Sequence, residues 1–259
     1  MQEPLENTQT EETQAENAQK GWISKRTVAA LAVSAVLTVA VIAATAIFGD
    51  DNYYLASLVI VVLTILPFFA SFEGRKPQAR ELVVLAVLIA IAVAARSAFF
   101  WLPAFKPMTA IIIISGIALG AGAGFMCGSL SAFVSNFLFG QGPWTPWQML
   151  AYGLAGLVAG LLAQKGVIPR HDLTTRQKLA LCAGSALFVL LVLGPILDTC
   201  AVFTMPAEEI EHFSVGAIYL SGVPVNIVHA LATFVTLFVV ANPMLDKLER
   251  MRVKYGMLS

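Results

Sequence analysis

The chain has 259 residues, 58% of them hydrophobic and only 12% charged, with 16 basic and 16 acidic residues and a mean hydropathy of +0.79. A soluble domain carries about 25% charged residues and cannot hide so much apolar surface. The strands of an outer-membrane barrel alternate polar and apolar residues and would lower the average. What remains is an all-α polytopic membrane protein. The zero net charge by itself says nothing about a nucleic-acid partner, and none is expected. The three cysteines (Cys127, Cys182 and Cys200) have no metal-ligand spacing and read as small core residues. Neither a metal nor a cofactor is expected.

Residues 1–20 are polar and acidic, with Glu3, Glu6, Glu11, Glu12 and Glu16, and are expected to be a disordered cytoplasmic tail. They lack the basic start and short apolar run of a secretory signal. Apolar spans follow at Val28–Phe48, Tyr53–Phe72 and Glu81–Trp101. The tract Met108–Phe139 is too long for one crossing of about 20 residues. It must be two short helices, with the turn among Gly120, Gly122 and Gly124. Three further spans are Trp147–Gln164, Gln177–Thr199 and Ala217–Val240. The expectation is eight transmembrane helices.

Charge sets the topology, because cytoplasmic loops collect Lys and Arg. With the N-terminus inside, fourteen of the sixteen basic residues fall on the cytoplasmic side, and Arg96 and Lys106 lie at the outer face. A single crossing at 108–139 would invert everything downstream, so the charge pattern independently favours eight helices with both termini in the cytoplasm.

Ala86, Ala90 and Ala94 recur every fourth residue and form one stripe of a helix. Such a stripe permits close helix approach, either inside the bundle or against another membrane protein. Gly116, Gly120, Gly124 and Gly128, with Gly153, Gly156 and Gly160, are packing surfaces of the same kind. They are no phosphate loop, because no strand precedes them and no Lys-Ser/Thr pair follows.

Polar residues share one depth near the outer face: Arg96, Lys106, Asn136, Gln141, Gln148, Asp198, Asn226 and His229. Intramembrane polar groups face a cavity or a partner. With Phe100, Trp144 and Trp147 they outline a pocket for a small organic ligand. Trp144 and Trp147, held between Pro143 and Pro146 in an outer loop, are expected to form a rigid lid or wall. The bland alternatives are an interfacial aromatic belt, an Arg96–Asp198 ion pair and a satisfied core histidine at position 229. No ATP-binding, zinc-protease or nucleophile-elbow motif is present. An intramembrane hydrolase would have to pair Ser129 or Ser131 with His229. An ion-coupled secondary transporter would have to use Asp198, Asn226 and His229, and would be expected to show repeated halves, which this chain lacks.

The stretch from Glu73 to Gln164, with ELVVLAVLIAIAVAARSAFFW and GQGPWTPWQ, resembles the substrate-specific S component of energy-coupling factor (ECF) transporters. The similarity continues weakly through Asp198–Cys200, VPVNIVHA and PMLDKLERMRVKYG. The resemblance implies a six-helix core over residues 77–245, preceded by two additional helices over 21–76 and followed by a basic cytoplasmic tail over 246–259. It further implies a non-enzymatic, plasma-membrane subunit of an ABC-type importer that binds a vitamin outside. Ala86, Ala90 and Ala94 match the family's docking signature for the scaffold subunit EcfT, which works with two ATPase subunits. The GQGPWTPWQ block is similar to the cobalamin-linked group, which implies cobalamin or a precursor. Thiamine, riboflavin or a pterin would also stack on Trp144 or Trp147.

The topology is directly testable. A Glu208→Cys variant is expected to react with an impermeant thiol reagent in intact cells, and an Asp172→Cys variant to stay unlabelled. The reverse pattern would invert the topology.

Overall fold

The computed structural model describes residues 53–74, 79–204 and 214–255, and their regular structure is helical. In chain order the helices are α1 (Tyr53–Gly74), α2 (Ala79–Ala98), α3 (Met108–Leu119), α4 (Ala121–Phe139) and α5 (Trp144–Gln164), then α6 (Thr175–Phe188), a π-helical turn Val189–Leu193, α7 (Gly194–Thr204) and α8 (Val215–Tyr255). Helices α6 and α7 run on through the π turn as one 30-residue rod. Among the described residues, five rods are long and apolar enough to cross a membrane: α2, α4, α5, α6–α7 and α8. The spans expected from Tyr53 onward each correspond to a rod. The span at 28–48 lies outside the described residues, and with it the count of eight.

The 108–139 tract breaks at one glycine. Gly120 has φ +90°, and its N–H bonds the Gly116 carbonyl to close α3. Gly122 and Gly124 already lie within α4. Gly116 and Gly124 would be about 12 Å apart on a continuous helix. Yet a Cβ on Gly124 would strike the Gly116 Cα, so the chain reverses at Gly120 into a tight hairpin. Helix α5 closes over it. Cβ atoms on Gly116, Gly124 and Gly156 would each collide with backbone of the facing helix, and one on Gly160 with Gly120 and Ala121. Every residue of α3 is buried, including Thr109 and Ser115.

Around this core, α2 packs on α3 and α4, and α8 packs on α3, α6 and α7. Helix α1 lies against α4 and α5 through Val61, Ile65, Ala121, Phe125 and Leu157, with Phe69 edge-on to Phe125. Helix α1 thus covers a face formed by α4 and α5.

Two corrections concern boundaries. Trp144 and Trp147 are not in a loop: Pro143 is the N-cap of α5 and Pro146 stands in its first turn. A proline there removes an N–H that has no helical partner. The last helix runs beyond Val240 to Tyr255. Ala241, Leu245 and Leu248 continue its buried face, and Asn242 donates to the Leu173 carbonyl at 2.9 Å.

The two ends of the bundle differ. One carries the aromatic segment 99–107 and the short segment 140–143. The other carries the 165–174 segment and the C-terminal part of α8, rich in Lys and Arg. At that basic end Asp246 accepts from the Asp172 N–H at 3.1 Å, and Thr174 and Gln177 form a capping box that starts α6. Burial, and next the Arg252 guanidinium, hold Arg170 below the ordinary arginine range, with Glu249 acting in the opposite sense.

A methyl group at position 156 has nowhere to go but into the Gly124 carbonyl. Gly156→Ala is therefore expected to cost about 1–3 kcal/mol, read as a lowered melting temperature in detergent. Gly184→Ala, where a Cβ meets nothing, should cost nothing.

Candidate functional site

Helix α3 rises only about 18 Å, whereas α5 rises about 31 Å. Their basic ends are level at Gly120 and Gln164. Near its other end, Thr109 bonds His229 Nε2 at 2.7 Å, and the His229 ring lies 5.9 Å from the Tyr152 ring. Tyr152 is eight residues, about 12 Å, short of Trp144 at the start of α5. Toward the aromatic end the core therefore lacks a helix where α3 stops, and polar side chains from α2, α4 and α5 converge at that level.

Arg96 is the hub. Its guanidinium donates to the Ser135 hydroxyl and to Asn136 Oδ1 at 3.0 Å. The Asn136 amide donates to Thr145 Oγ1 and Gln148 Oε1, each at 3.0 Å. Thr145 donates to Gln141 Oε1 at 2.9 Å, and Gln141 donates to the Phe133 carbonyl. The Arg96 guanidinium carbon also sits 4.6 Å from the centre of the Phe139 ring. Beside it opens a cavity of about 150 Å³ lined by Arg96, Phe99, Phe100, Phe105, Lys106 and Phe139, among others. Phe100 is 73% exposed. Ala104, also in the lining, holds φ +61°, a left-handed conformation that a non-glycine residue adopts at a cost.

Four expected residues thus share one network: Arg96, Asn136, Gln141 and Gln148. Phe100 and Lys106 line the adjoining cavity. Ser135 and Thr145 complete the network and were not anticipated, because a lone hydroxyl in an apolar helix usually bonds its own backbone. Their signal was positional: Ser135 precedes Asn136, and Thr145 stands nine residues beyond it.

The remaining expected residues lie elsewhere. Arg96 does not pair with Asp198. The Asp198 carboxylate instead accepts from Asn226 Nδ2 at 2.7 Å, across α7 and α8. Each side chain of that pair fills the hollow over a glycine of the other helix: Asn226 against Gly194, Asp198 against Gly222. His229 is buried against Thr109 and Tyr152, with Lys106 and Arg96 as the cations within electrostatic reach. Trp147 stacks on Phe203 at 5.9 Å and packs toward α1. Trp144 is exposed, its indole over Gly142 and its N–H 3.4 Å from the Gly140 carbonyl. Ser129 donates to the Met149 carbonyl and Ser131 lies against Cys127, so neither serves His229 as a nucleophile. Ala86, Ala90 and Ala94 lie on the exposed face of α2, opposite the buried Leu85, Leu88 and Ala92. The internal-packing alternative for that stripe needs burial these residues do not have.

The described residues thus form a glycine-packed helical bundle with a polar and aromatic recess at one end. Residues 76–250 match the family described as ECF-type riboflavin transporter, S component, and the chain belongs to that family. It is also 28% identical over 116 residues, 40% of this chain, to the UPF0397 protein VS_II0189 of Vibrio atlanticus (strain LGP32). That match spans 63% of the relative's length, less than two thirds of it. No solved structure matches.

The two polar groupings make a quantitative expectation. If Arg96 and Asp198 belong to separate networks, the stability losses of Arg96→Ala and Asp198→Asn should add within about 0.5 kcal/mol in the double variant. Recovery of stability in the double variant would instead show a direct ion pair.

Proposed function

We propose that this chain is the substrate-binding membrane subunit of an ECF-type importer, and that its ligand is a vitamin with a flat heteroaromatic ring. The aromatic end faces outward and the basic end the cytoplasm. The observation that carries the reading is the Arg96–Asn136–Gln148 network set beside the phenyl-lined cavity of Phe99, Phe105 and Phe139. Rings stack a flat ligand, and a fixed set of amides and one guanidinium orients its polar edge. Riboflavin, named in the family's description, is the first candidate.

Cobalamin, suggested by the GQGPWTPWQ block, is named by neither comparison. The cavity of about 150 Å³ is also below the range of roughly 300–1,000 Å³ usual for ligand pockets. A flat ring needs a modest displacement of the 99–107 segment, and a corrinoid a far larger one. An ion-coupled transporter would rest on Asp198 and Asn226, but family membership favours the importer subunit. In that role the exposed Ala86, Ala90 and Ala94 stripe is the docking face for the scaffold subunit, with two ATPase subunits behind it.

Calorimetry on the purified full chain with riboflavin, thiamine and cobalamin tests the ligand. Phe105→Ala, Phe139→Ala and Gln148→Ala are each expected to weaken binding about tenfold, a loss of about 1.4 kcal/mol. Ala90→Trp should leave affinity unchanged and abolish ATP-dependent uptake in vesicles holding the assembled complex. Unchanged affinity in all three pocket variants would reduce the cluster to a membrane-interface belt. Loss of binding in Ala90→Trp would place the stripe inside the fold.

A further inference from the structure

At the basic end, α5 and α6 diverge and leave a cleft of about 350 Å³. Ala155, Ala159 and Leu162 form one wall, Ala180, Leu181 and Gly184 the other, and Ile113 of α3 the floor. It reaches from Gln177 to Phe188, about 16 Å along α6. A side chain added at Gly184 would meet nothing, so the slot is open at that depth.

Its mouth is cationic. Val167, Ile168 and Pro169 line one lip, with Lys165 and Arg170 on either side of them in sequence; Gln177 lines the other lip, between Arg176 and Lys178. Arg170 feels the Arg252 guanidinium, one nitrogen of which is buried without a hydrogen-bond partner. The neighbouring carboxylates are engaged: Asp172 with His171 at 3.2 Å, Asp246 with the Asp172 N–H, and Glu249 with Arg252 at 3.2 Å. Glu249 offsets part of the Arg170 charge, while Lys165 and Arg176 make no ion pair among the described residues, so the lips keep an excess of positive charge.

An apolar slot at bilayer depth under a cationic mouth has the shape of a phospholipid. We propose that this cleft binds an anionic phospholipid, one acyl chain lying between α5 and α6 and the phosphate lying against Arg170, Lys165 and Arg176. Lys178 is committed to the Phe238 ring of α8, 4.4 Å away, which leaves Lys165, Arg170 and Arg176 for the mouth. A partner's apolar helix would fill the slot but gives no reason for these three cations. A free anion would meet the cations but leave the slot open to water. Basic recesses between membrane helices on the cytoplasmic side recognise anionic headgroups by this combination.

The test uses the full chain purified in detergent, with phosphatidylglycerol and phosphatidylcholine of identical acyl chains as probes. Native mass spectrometry is expected to show phosphatidylglycerol retained at least about tenfold more strongly, since each surface cation contributes about a fivefold factor. The double variant Lys165→Gln/Arg176→Gln should lose that preference. Gly184→Leu should lose retention of phosphatidylglycerol by filling the slot while the charges stay. If Gly184→Leu does not fold, the charge variant decides, because both of its positions are exposed. Equal retention of the two lipids, or retention unchanged in the variants, overturns the proposal. So does a Gly184→Cys variant that cross-links to a partner subunit in the assembled complex and not to a photoactivatable phosphatidylglycerol.

Discussion

Backbone-to-backbone contact among α3, α4 and α5 is the constraint on which the rest of the structure depends. In lipid, apolar side chains gain little by leaving one apolar surface for another, so helices associate through close packing. Gly116, Gly124 and Gly156 remove the side chains that would hold these helices apart, and each faces the backbone of a neighbour. Gly120 reverses the chain at φ +90°, where a side chain would be strained. The outcome is a hairpin buried along its whole first arm.

The recess follows from that hairpin. Because α3, at about 18 Å, falls well short of the roughly 30 Å hydrocarbon core of a membrane, it cannot fill the bundle to the aromatic end. Arg96, Asn136 and Gln148 come from three helices that do continue, and at this level they meet one another in place of apolar side chains. A guanidinium and two amides in an apolar bundle are costly unless satisfied, and Ser135, Thr145 and Gln141 complete the set. The closed network fixes Arg96 next to the ring of Phe139, which gives one wall of the cavity both a charge and a flat face.

Hydropathy in the sequence was enough to place the helices from Tyr53 onward, and the overlong tract at 108–139 with its glycines was enough to place the hairpin. Depth alone gathered Arg96, Asn136, Gln141 and Gln148, which the structure joins in one hydrogen-bonded network. Depth could not assign partners: Asp198 and Asn226 share that level but face each other across α7 and α8, and His229 faces Thr109. Which side of a helix a residue occupies depends on rotations that hydropathy does not encode, and the π turn at Val189–Leu193 shifts the face of everything after it in that rod. Prolines misled at Trp144 and Trp147, where a turn-like composition proved to be the first turn of a helix. The extension of α8 past Val240 was hidden by charge, since its amphipathic continuation packs on the 165–174 segment at the basic end.

The central claim is that the recess above α3 takes the ligand while the glycine-packed hairpin stays as it is. Hydrogen exchange of the full chain, with and without saturating riboflavin, tests it most directly. The account predicts added protection in the 96–107 and 136–148 segments and no change along 110–130. Protection centred on the basic end, or on α7 and α8 around Asp198 with none at 96–107, would contradict it.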